Sequence, residues 1–310
     1  MTNKLVTLIG GGGFLGRYVA RELMQAGARV RVAQRDPRQA YFLRTQGGLG
    51  QTQFVAADIA RPDTVARAVE GADAVVNLVG VMGGKMQAIH VDGARAVAEA
   101  ARKAGADALV HVSAIGADAN GAAAYARSKG QGEAAVRDAF PNATILRPSI
   151  VFGREDQFVN RFAGMMAAPI VPVLRSGVKF QPVFAGNVGE AVANALSDPE
   201  THGGTTYELG GPDVLSMGEL LRWIAQALGR KPNFVEVPDF AAALLARLPG
   251  SPITWDQWLM LQQDNVVAAG APGLAALGVE AAPLAAVAPD YLIRFRKSGR
   301  FGRRAETLAA

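Results

Sequence analysis

Over the first 150 residues, short apolar runs alternate with longer segments in which apolar residues recur every three or four positions. The segment after the first run places Leu15, Val19 and Leu23 on one face of a helix that is expected to end at Gly27. Such alternation is typical of βαβ units and predicts an α/β protein built on a parallel sheet. The apolar runs of strand length are residues 5–9, 29–33, 53–56, 74–78, 108–112 and 143–146.

The regularity fades after Gly153, where prolines and glycines interrupt shorter segments. The pattern there predicts a strand at 206–209 and helices at 188–196, 217–228, 240–248 and 255–265. This mixture indicates a smaller mixed α/β domain. We therefore expect a first domain over residues 1–153, a second over 154–290 and a basic C-terminal tail over 291–310.

Composition narrows the class of protein. Of 310 residues, 50% are hydrophobic and 19% are charged, as in ordinary globular proteins. The chain has no cysteine, and His90, His111 and His202 lack the spacing of metal ligands, so we expect no metal site. No stretch has the length and apolar character of a membrane span or a signal peptide, and we expect a cytoplasmic protein.

Positive charge is concentrated near the C-terminus. Six basic residues and no acidic one lie between Tyr291 and Arg304: Arg294, Arg296, Lys297, Arg300, Arg303 and Arg304. Since the net charge of the whole chain is +5, the remainder is nearly neutral, and we expect no nucleic-acid partner. The basic tail favours an acidic partner or an anionic membrane surface. A solvated, frayed terminus is the alternative.

A glycine motif separates the first predicted strand from the first helix. Its spacing is G-x-x-G-x-x-G, and glycines at these positions permit a sharp turn and a close approach of backbone to a pyrophosphate. The start of the helix adds free N–H groups and the positive end of its dipole. The motif predicts a Rossmann-type, doubly wound sheet with a dinucleotide at Gly10, Gly12, Gly13, Phe14, Leu15 and Gly16.

The end of the second predicted strand indicates which dinucleotide is bound. Proteins that prefer NAD usually carry an acidic residue there, but this chain reads Ala33-Gln34-Arg35. Arg35, helped by Arg17 after the last motif glycine, is suited to a 2′-phosphate. We therefore expect NADPH rather than NAD(H). In the alternative, both arginines are surface residues and Asp36 binds the ribose.

The third and fourth predicted strands also end at the edge of the sheet where ligands bind. Asp58 and Ile59 follow the third strand and are candidates for the adenine, although an Asp at this point is often a helix cap. The candidates for the ribose path follow the fourth strand: Leu78, Val79 and Gly80.

Three residues form a candidate catalytic set. Ser113 ends the fifth predicted strand, and Tyr125 and Lys129 follow at the i, i+4 spacing that places two side chains on one helix face. The Lys129 ammonium is expected to lower the pKa of the Tyr125 hydroxyl and to reach the cofactor ribose. Tyr125 would then be a general acid, and all three residues would also contact the cofactor.

These motifs resemble the extended and atypical short-chain dehydrogenases. The resemblance rests on the glycine motif, Asp58 with Ile59, the pair Tyr125 and Lys129, and residues 147–153 (RPSIVFG). In that superfamily the Arg-Pro segment passes close to the nicotinamide, which implies contacts from Pro148 and Ile150. His90 departs from the pattern, because extended members commonly have Asn at this position.

A narrower resemblance is to the nucleotide-binding accessory subunits of respiratory complex I. It is carried by residues 13–19, 125–133, 254–267 and 286–289. The family implies tightly held NADPH in a structural or assembly role, other complex I subunits as partners, and a peripheral position on the cytoplasmic face of the inner membrane or the equivalent matrix side.

Two other functions stay open at this point. The Ser113, Tyr125 and Lys129 set is compatible with an active NADPH-dependent reductase, epimerase or dehydratase on a small substrate. The chain is also compatible with a regulator that senses the NADP redox state.

Overall fold

The computed structural model describes residues 1–297 and residue 299. The strands are β1 (Leu5–Ile9), β2 (Arg29–Gln34), β3 (Thr52–Ala56), β4 (Ala74–Asn77), β5 (Ala108–Val112), β6 (Thr144–Pro148), β7 (Val151–Phe152), β8 (Ile170–Leu174), β9 (Lys179–Phe180), β10 (Val183–Phe184), β11 (Thr206–Leu209), β12 (Leu215–Ser216) and β13 (Asn233–Val237).

The α-helices alternate with these strands over most of the chain. They are α1 (Phe14–Gln25), α2 (Pro62–Val69), α3 (Gly93–Lys103), α4 (Ala124–Ala139), α5 (Val159–Met165), α6 (Ala185–Ser197), α7 (Pro199–His202), α8 (Met217–Leu228), α9 (Asp239–Leu245), α10 (Trp255–Met260) and α11 (Leu284–Leu292). Segments of 3-10 helix cover Pro37–Gln46, Leu274–Leu277 and Ile293–Phe295, and a π-helix covers Gln87–Asp92.

Seven strands form one sheet in the order β3-β2-β1-β4-β5-β6-β11, and every neighbouring pair is parallel. The chain winds outward from β1 in one direction and then outward from β4 in the other. The strand order therefore reverses between β1 and β4, which is the switch point at which doubly wound sheets bind ligands. The predicted Rossmann-type fold is confirmed.

The periodicity of the first helix explains how it packs. Val19, Ala20 and Leu23 are fully buried on one face of α1. That face lies against α6, and a methyl group on Gly189 would come within 2.9 Å of the backbone carbon of Tyr18. On the opposite side of the sheet, α2, α3 and α4 cover a core that includes Val65, Val97 and Val136 among other small apolar residues.

The chain divides into two compact units that are not continuous in sequence. The first contains Met1–Pro148, Ala185–Leu209 and Ala268–Glu280. The expected division at residue 153 differs from this arrangement, because α6 packs on α1 and β11 pairs with β6 at the edge of the sheet.

The second unit contains Ser149–Phe184, Gly210–Val267 and the described residues from Ala281 onward. It holds three two-stranded sheets, which pair β7 with β10, β9 with β12 and β8 with β13. Helices α5, α8 and α11 contribute to its core, in which Phe152, Met166, Leu220 and Leu221 are almost completely buried.

The first residues of the expected basic tail are folded into the second unit. Tyr291 is buried and its hydroxyl donates to the Asp156 carboxylate over 3.1 Å, while the Arg296 guanidinium donates to the Ala227 carbonyl. The expected boundary at residue 291 thus falls inside α11. Arg300, Arg303 and Arg304 lie outside the described residues. Within the part of the chain that is described, no helix combines the length and apolar character needed to cross a bilayer.

Candidate functional site

The loop between β1 and α1 is held by contacts that require glycine. Gly10 has a φ of +81° and sits so close to the end of β4 that a Cβ there would be 2.8 Å from Val79 Cγ2. A Cβ on Gly16 would collide with the carbonyl oxygen of Gly11. These two glycines let the loop fold tightly against both the sheet and the helix.

Gly13 differs from its neighbours in this loop. It is the N-cap residue of α1, it is exposed, and a Cβ there would meet nothing nearer than the Gly10 carbonyl at 3.3 Å. A side chain at position 13 would therefore meet the protein at that carbonyl oxygen, which would have to give way by a few tenths of an ångström. A glycine there leaves open space before the first turn of α1, where Phe14 and Leu15 begin the helix, and this space fits a dinucleotide pyrophosphate.

The charged residues in and after β2 have different environments. Asp36 caps the 3-10 helix by accepting the Arg38 N–H over 3.1 Å and pairs with the Arg38 guanidinium at 3.0 Å. That hydrogen bond lowers the pKa of Asp36. Arg35 is exposed at the end of the strand, and the Arg17 guanidinium lies 4.7 Å from the centroid of the Phe42 ring. The Asp36 carboxylate is thus engaged within its own turn.

The residues predicted after β3 have different environments. Asp58 accepts the Ala60 N–H at 3.0 Å and so closes a turn, and it does not cap α2, whose N-cap residue is Arg61. Ile59 is buried, and its side chain lies against Gly93 at the start of α3. Both residues follow β3 at the carboxyl edge of the sheet.

Leu78, Val79 and Gly80 follow β4, next to the glycine loop. A Cβ built on Gly80 would be 3.8 Å from His90 Nε2 and 3.9 Å from Lys129 Nζ. Gly80 thus borders the same space as two of the buried polar groups of the site.

Ser113 and Lys129 meet at the end of β5. The Lys129 ammonium is 3% exposed and donates to the Val112 carbonyl over 2.9 Å. Burial lowers the pKa of Lys129 to about 8, an effect that Glu133 partly opposes. Ser113 is 4% exposed, and its Oγ has no hydrogen-bond partner among the described residues. A buried hydroxyl of this kind fits the polar edge of a cofactor or substrate.

Tyr125 lies on α4 one turn before Lys129. The expected lowering of its pKa by the lysine was wrong: burial raises the pKa of Tyr125 to about 12. The physical reason is that both groups are withdrawn from water and the ammonium is bound to a strand carbonyl. The hydroxyl remains a proton donor at neutral pH, but a weaker acid than a tyrosine in water.

His90 lies at the centre of a chain of hydrogen bonds that the motifs did not predict. Its Nε2 accepts the Val81 N–H over 2.9 Å, so the proton of the neutral ring is on Nδ1, which donates to Ser128 Oγ over 2.8 Å. Ser128 in turn donates to the Tyr125 carbonyl. Burial, and secondarily the Lys129 cation, lower the pKa of His90 to about 4.

A buried pair of polar side chains also links the neighbouring strands β4 and β5. Asn77 and His111 occupy the same register position on β4 and β5, and the Asn77 amide donates to His111 Nδ1 over 3.1 Å while its oxygen accepts the Val79 N–H. Burial lowers the pKa of His111 well below its ordinary value. The sequence feature that could have revealed this pair is a polar residue at corresponding positions of two otherwise apolar strands. No group of three or more potential metal ligands is assembled within the described residues.

The Arg-Pro segment is anchored on the first unit. Arg147 forms an ion pair of 2.6 Å with Glu133 of α4 and a longer one of 3.5 Å with Glu208 of β11, and the hydrogen bond to Glu133 raises the pKa of Arg147. Pro148 is buried at the end of β6, and its carbonyl accepts the Ile115 N–H over 3.0 Å. Ile150 packs against the core of the second unit.

Comparison with known proteins agrees with this geometry. A family model described as NAD(P)H-binding matches residues 10–159, so the chain carries an NAD(P)H-binding domain. The rat mitochondrial protein named NADH dehydrogenase (ubiquinone) 1 alpha subcomplex subunit 9 is 34% identical over 308 residues, which cover 96% of this chain and 81% of the relative.

Two further similarities concern reductases. The ceramide reductase of Caulobacter vibrioides is 32% identical over 243 residues, 76% of this chain and 74% of that protein. The crystal structure of an NADPH-dependent quinone oxidoreductase from Escherichia coli, complexed with NADPH, matches with a TM-score of 0.75 at 18% identity and covers 93% of this chain and 99% of that one. These similarities confirm the resemblance that the motifs indicate.

Gly13, the N-cap residue of α1, and Gly16, in the first turn of α1, should respond differently to substitution. We expect Gly13→Val to fold with an unfolding free energy within about 1 kcal/mol of wild type and to lose cofactor affinity at least roughly tenfold, because its side chain extends into ligand space and its nearest protein contact is the Gly10 carbonyl oxygen, 3.3 Å from Cβ. Gly16→Ala, which collides with the Gly11 backbone, should instead lower the unfolding free energy by about 1–3 kcal/mol. Denaturation and calorimetry measure both, and unchanged binding by folded Gly13→Val would contradict the site.

The buried neutral state of His90 predicts an acid-sensitive fold. Its folded pKa is below its unfolded pKa, so the unfolded chain binds more protons and stability is lost as pH falls from about 6.5 toward 4. His90→Gln keeps an acceptor for Val81 and should reduce the slope of stability against pH by about 1.4 kcal/mol per pH unit, the value for one proton. Urea denaturation between pH 6.5 and 5 measures the slope.

The control for this measurement is His202→Gln, the same exchange at a less buried histidine. Burial also holds His111 neutral in the folded protein, so that it takes up a proton on unfolding, and the slope in His90→Gln is reduced rather than abolished. Equal slopes in wild type and His90→Gln would show that His90 does not take up a proton on unfolding.

Proposed function

Because the chain belongs to the family of complex I alpha-subcomplex subunit 9 proteins, we propose that it is an NADPH-binding accessory or assembly subunit of respiratory complex I, NADH:quinone oxidoreductase, with little or no turnover of its own. The observation that carries the proposal is the extent of the similarity to the rat subunit, which runs over 96% of the chain. It includes the second unit, beyond the residues matched by the NAD(P)H-binding model.

The electrostatics of the site support a holding role. A general acid is most effective when its pKa lies near the working pH, but burial moves the pKa of Tyr125 away from neutrality, to about 12. Ser113 and Lys129 would hold the nicotinamide half of the cofactor, which supplies hydride chemistry when bound. One N–H of the Lys129 ammonium donates to the Val112 carbonyl, and the other two remain to hold the cofactor.

The proposed cofactor is NADPH rather than NADH. Arg35 stands where an NAD-preferring protein has an acid, and Phe42 holds the Arg17 guanidinium near the first turn of α1. Asp36, the competing ribose ligand, is paired with Arg38. The two arginines at this position thus favour a 2′-phosphate.

The proposed partners follow from the family and the charge. Other subunits of complex I would contact the chain, and the basic residues from Arg294 onward would add attraction to an anionic membrane surface, about 1 kcal/mol for each cation near the surface. We therefore propose a position at the periphery of the inner membrane, on its cytoplasmic face or the equivalent matrix side.

A second candidate function is an active NADPH-dependent reductase. Two observations favour it: Ser113, Tyr125 and Lys129 are all present at the end of β5 and on α4, and a relative named ceramide reductase shares 32% identity over 74% of its length. In that function Tyr125 would donate its proton to the carbonyl oxygen of the substrate, with Ser113 as a second hydrogen-bond donor.

Replacing Tyr125 by Phe separates the two functions. In the accessory role, native gels of detergent-solubilised membranes, read by mass spectrometry, should find wild type and Tyr125→Phe equally in complex I, and neither should oxidise NADPH with added carbonyl compounds. Absence from the complex, together with NADPH oxidation that Tyr125→Phe abolishes, would overturn the accessory role and support the reductase.

Cofactor preference is tested by calorimetry on cofactor-free protein. We expect NADPH to bind more tightly than NADH, and Arg35→Ala to weaken NADPH by roughly tenfold or more with little effect on NADH, as for loss of a charge-assisted hydrogen bond. Arg44→Ala is the matched control, because Arg44 belongs to the same segment but stacks 4.0 Å from the Tyr41 ring. Equal affinities for the two cofactors in wild type would refute the preference.

A further inference from the structure

Helix α9 in the second unit is packed with its small residues inward. Ala242 and Ala246 are buried, and they join Ile253 and Trp258 in a compact cluster. The large side chains of the helix point the other way: Phe240 is 79% exposed and Leu244 is 62% exposed. Folding alone favours the opposite arrangement, because burial of a Phe or Leu side chain contributes far more than burial of a methyl group.

The exposed residues continue beyond the helix. Leu248, one turn after Leu244, is 52% exposed, and Trp255 at the start of α10 is 37% exposed. We name the four residues Phe240, Leu244, Leu248 and Trp255 the apolar ridge. Among the described residues, five of the twelve exposed large hydrophobic side chains lie between residues 240 and 255, the fifth being Leu245. This concentration marks a surface that contacts something apolar.

The charges around the ridge indicate the chemistry of that contact. Asp239, at the start of α9, is neutralised by an ion pair of 2.6 Å with Arg175. Arg247 stacks 4.1 Å from the centroid of the Trp255 ring, and Arg161 of α5 donates to the Pro252 carbonyl in the turn between α9 and α10. The exposed cations Arg247 and Arg161 therefore flank the apolar side chains, the acid Asp239 is paired, and a second acid, Asp256, follows Trp255.

We propose that the apolar ridge docks the protein on the surface of an anionic phospholipid bilayer. Apolar side chains that project from a helix, with a tryptophan and arginines at their margin, match a membrane interface, where the chains enter the acyl boundary and the guanidinium groups remain at phosphate level. A bilayer accepts protruding side chains without a preformed pocket. A protein partner would need a groove complementary to Phe240, Leu244 and Leu248.

The ridge acts independently of the basic residues near the C-terminus. Attraction between tail cations and anionic lipids is screened by salt, whereas transfer of Phe and Leu side chains out of water is not. Binding that persists at high salt therefore reports the ridge. This makes the inference separable from the proposed contact of the tail and from the proposed place in complex I.

Flotation of the purified full-length chain with vesicles tests the proposal. We expect binding to phosphatidylglycerol–phosphatidylcholine vesicles at about 0.5 M salt, where the Debye length is roughly 4 Å. The variant Phe240→Ser/Leu244→Ser should reduce the partition coefficient by roughly tenfold or more. The matched control Leu49→Ser/Val214→Ser removes two other exposed apolar side chains and should bind as wild type.

A second measurement reports insertion directly. The chain has three tryptophans, Trp223, Trp255 and Trp258. Lipids brominated near the headgroup should quench the fluorescence of the wild type, and Trp255→Phe should lose most of that quenching. Equal salt-resistant binding by the Phe240→Ser/Leu244→Ser variant, or a ridge that binds no vesicles and instead retains a protein from solubilised membranes, would overturn the proposal.

Discussion

The close approach of backbone to backbone at the switch point of the sheet is the constraint on which the rest of the structure depends. A Cβ on Gly10 would clash with Val79, the second residue after β4, and a Cβ on Gly16 would clash with the Gly11 carbonyl, so α1 can begin close to the end of β1 only because both residues are glycine. This position sets α1 over the sheet, where its buried face receives α6. It also leaves the helix N-terminus open toward the end of β4, which brings the glycine loop and the Lys129 ammonium to a common edge.

Charge in the first unit is controlled by burial. Lys129 is surrounded by imidazoles that stay neutral, since burial and the ammonium itself both oppose their protonation. The Arg147–Glu133 ion pair lies further along α4, where Glu133 supports the positive charge of the lysine. The result is a single buried cation at the end of β5, and His90 fixes the helix around it through Ser128. A dinucleotide bound at this edge would meet a site with its hydrogen-bond donors already oriented.

Much of this was accessible from the sequence, for identifiable reasons. Strands β1, β5 and β11 and helix α8 have the predicted bounds, because their residues carry a clear apolar period and end at glycine or polar residues. The Asn77–His111 pair was missed because it depends on which strands are neighbours. The direction of the Tyr125 pKa was wrong because it depends on burial, and no local pattern reveals that α9 turns its alanines inward. Tertiary contacts likewise determine that residues 185–209 and 268–280 belong to the first unit, so the local sequence does not reveal it.

The order of those segments has a consequence for synthesis. The edge strand β11 and residues 268–280 belong to the same unit as the glycine loop, yet about 190 and about 250 residues, respectively, separate them from it along the chain. As the protein leaves the ribosome, the nucleotide-binding half therefore remains short of its outer strand and its last segment until residue 280 has emerged. Synthesis of the first unit therefore ends only after most of the second unit has been made. Both units reach their final structure within the same late interval of translation.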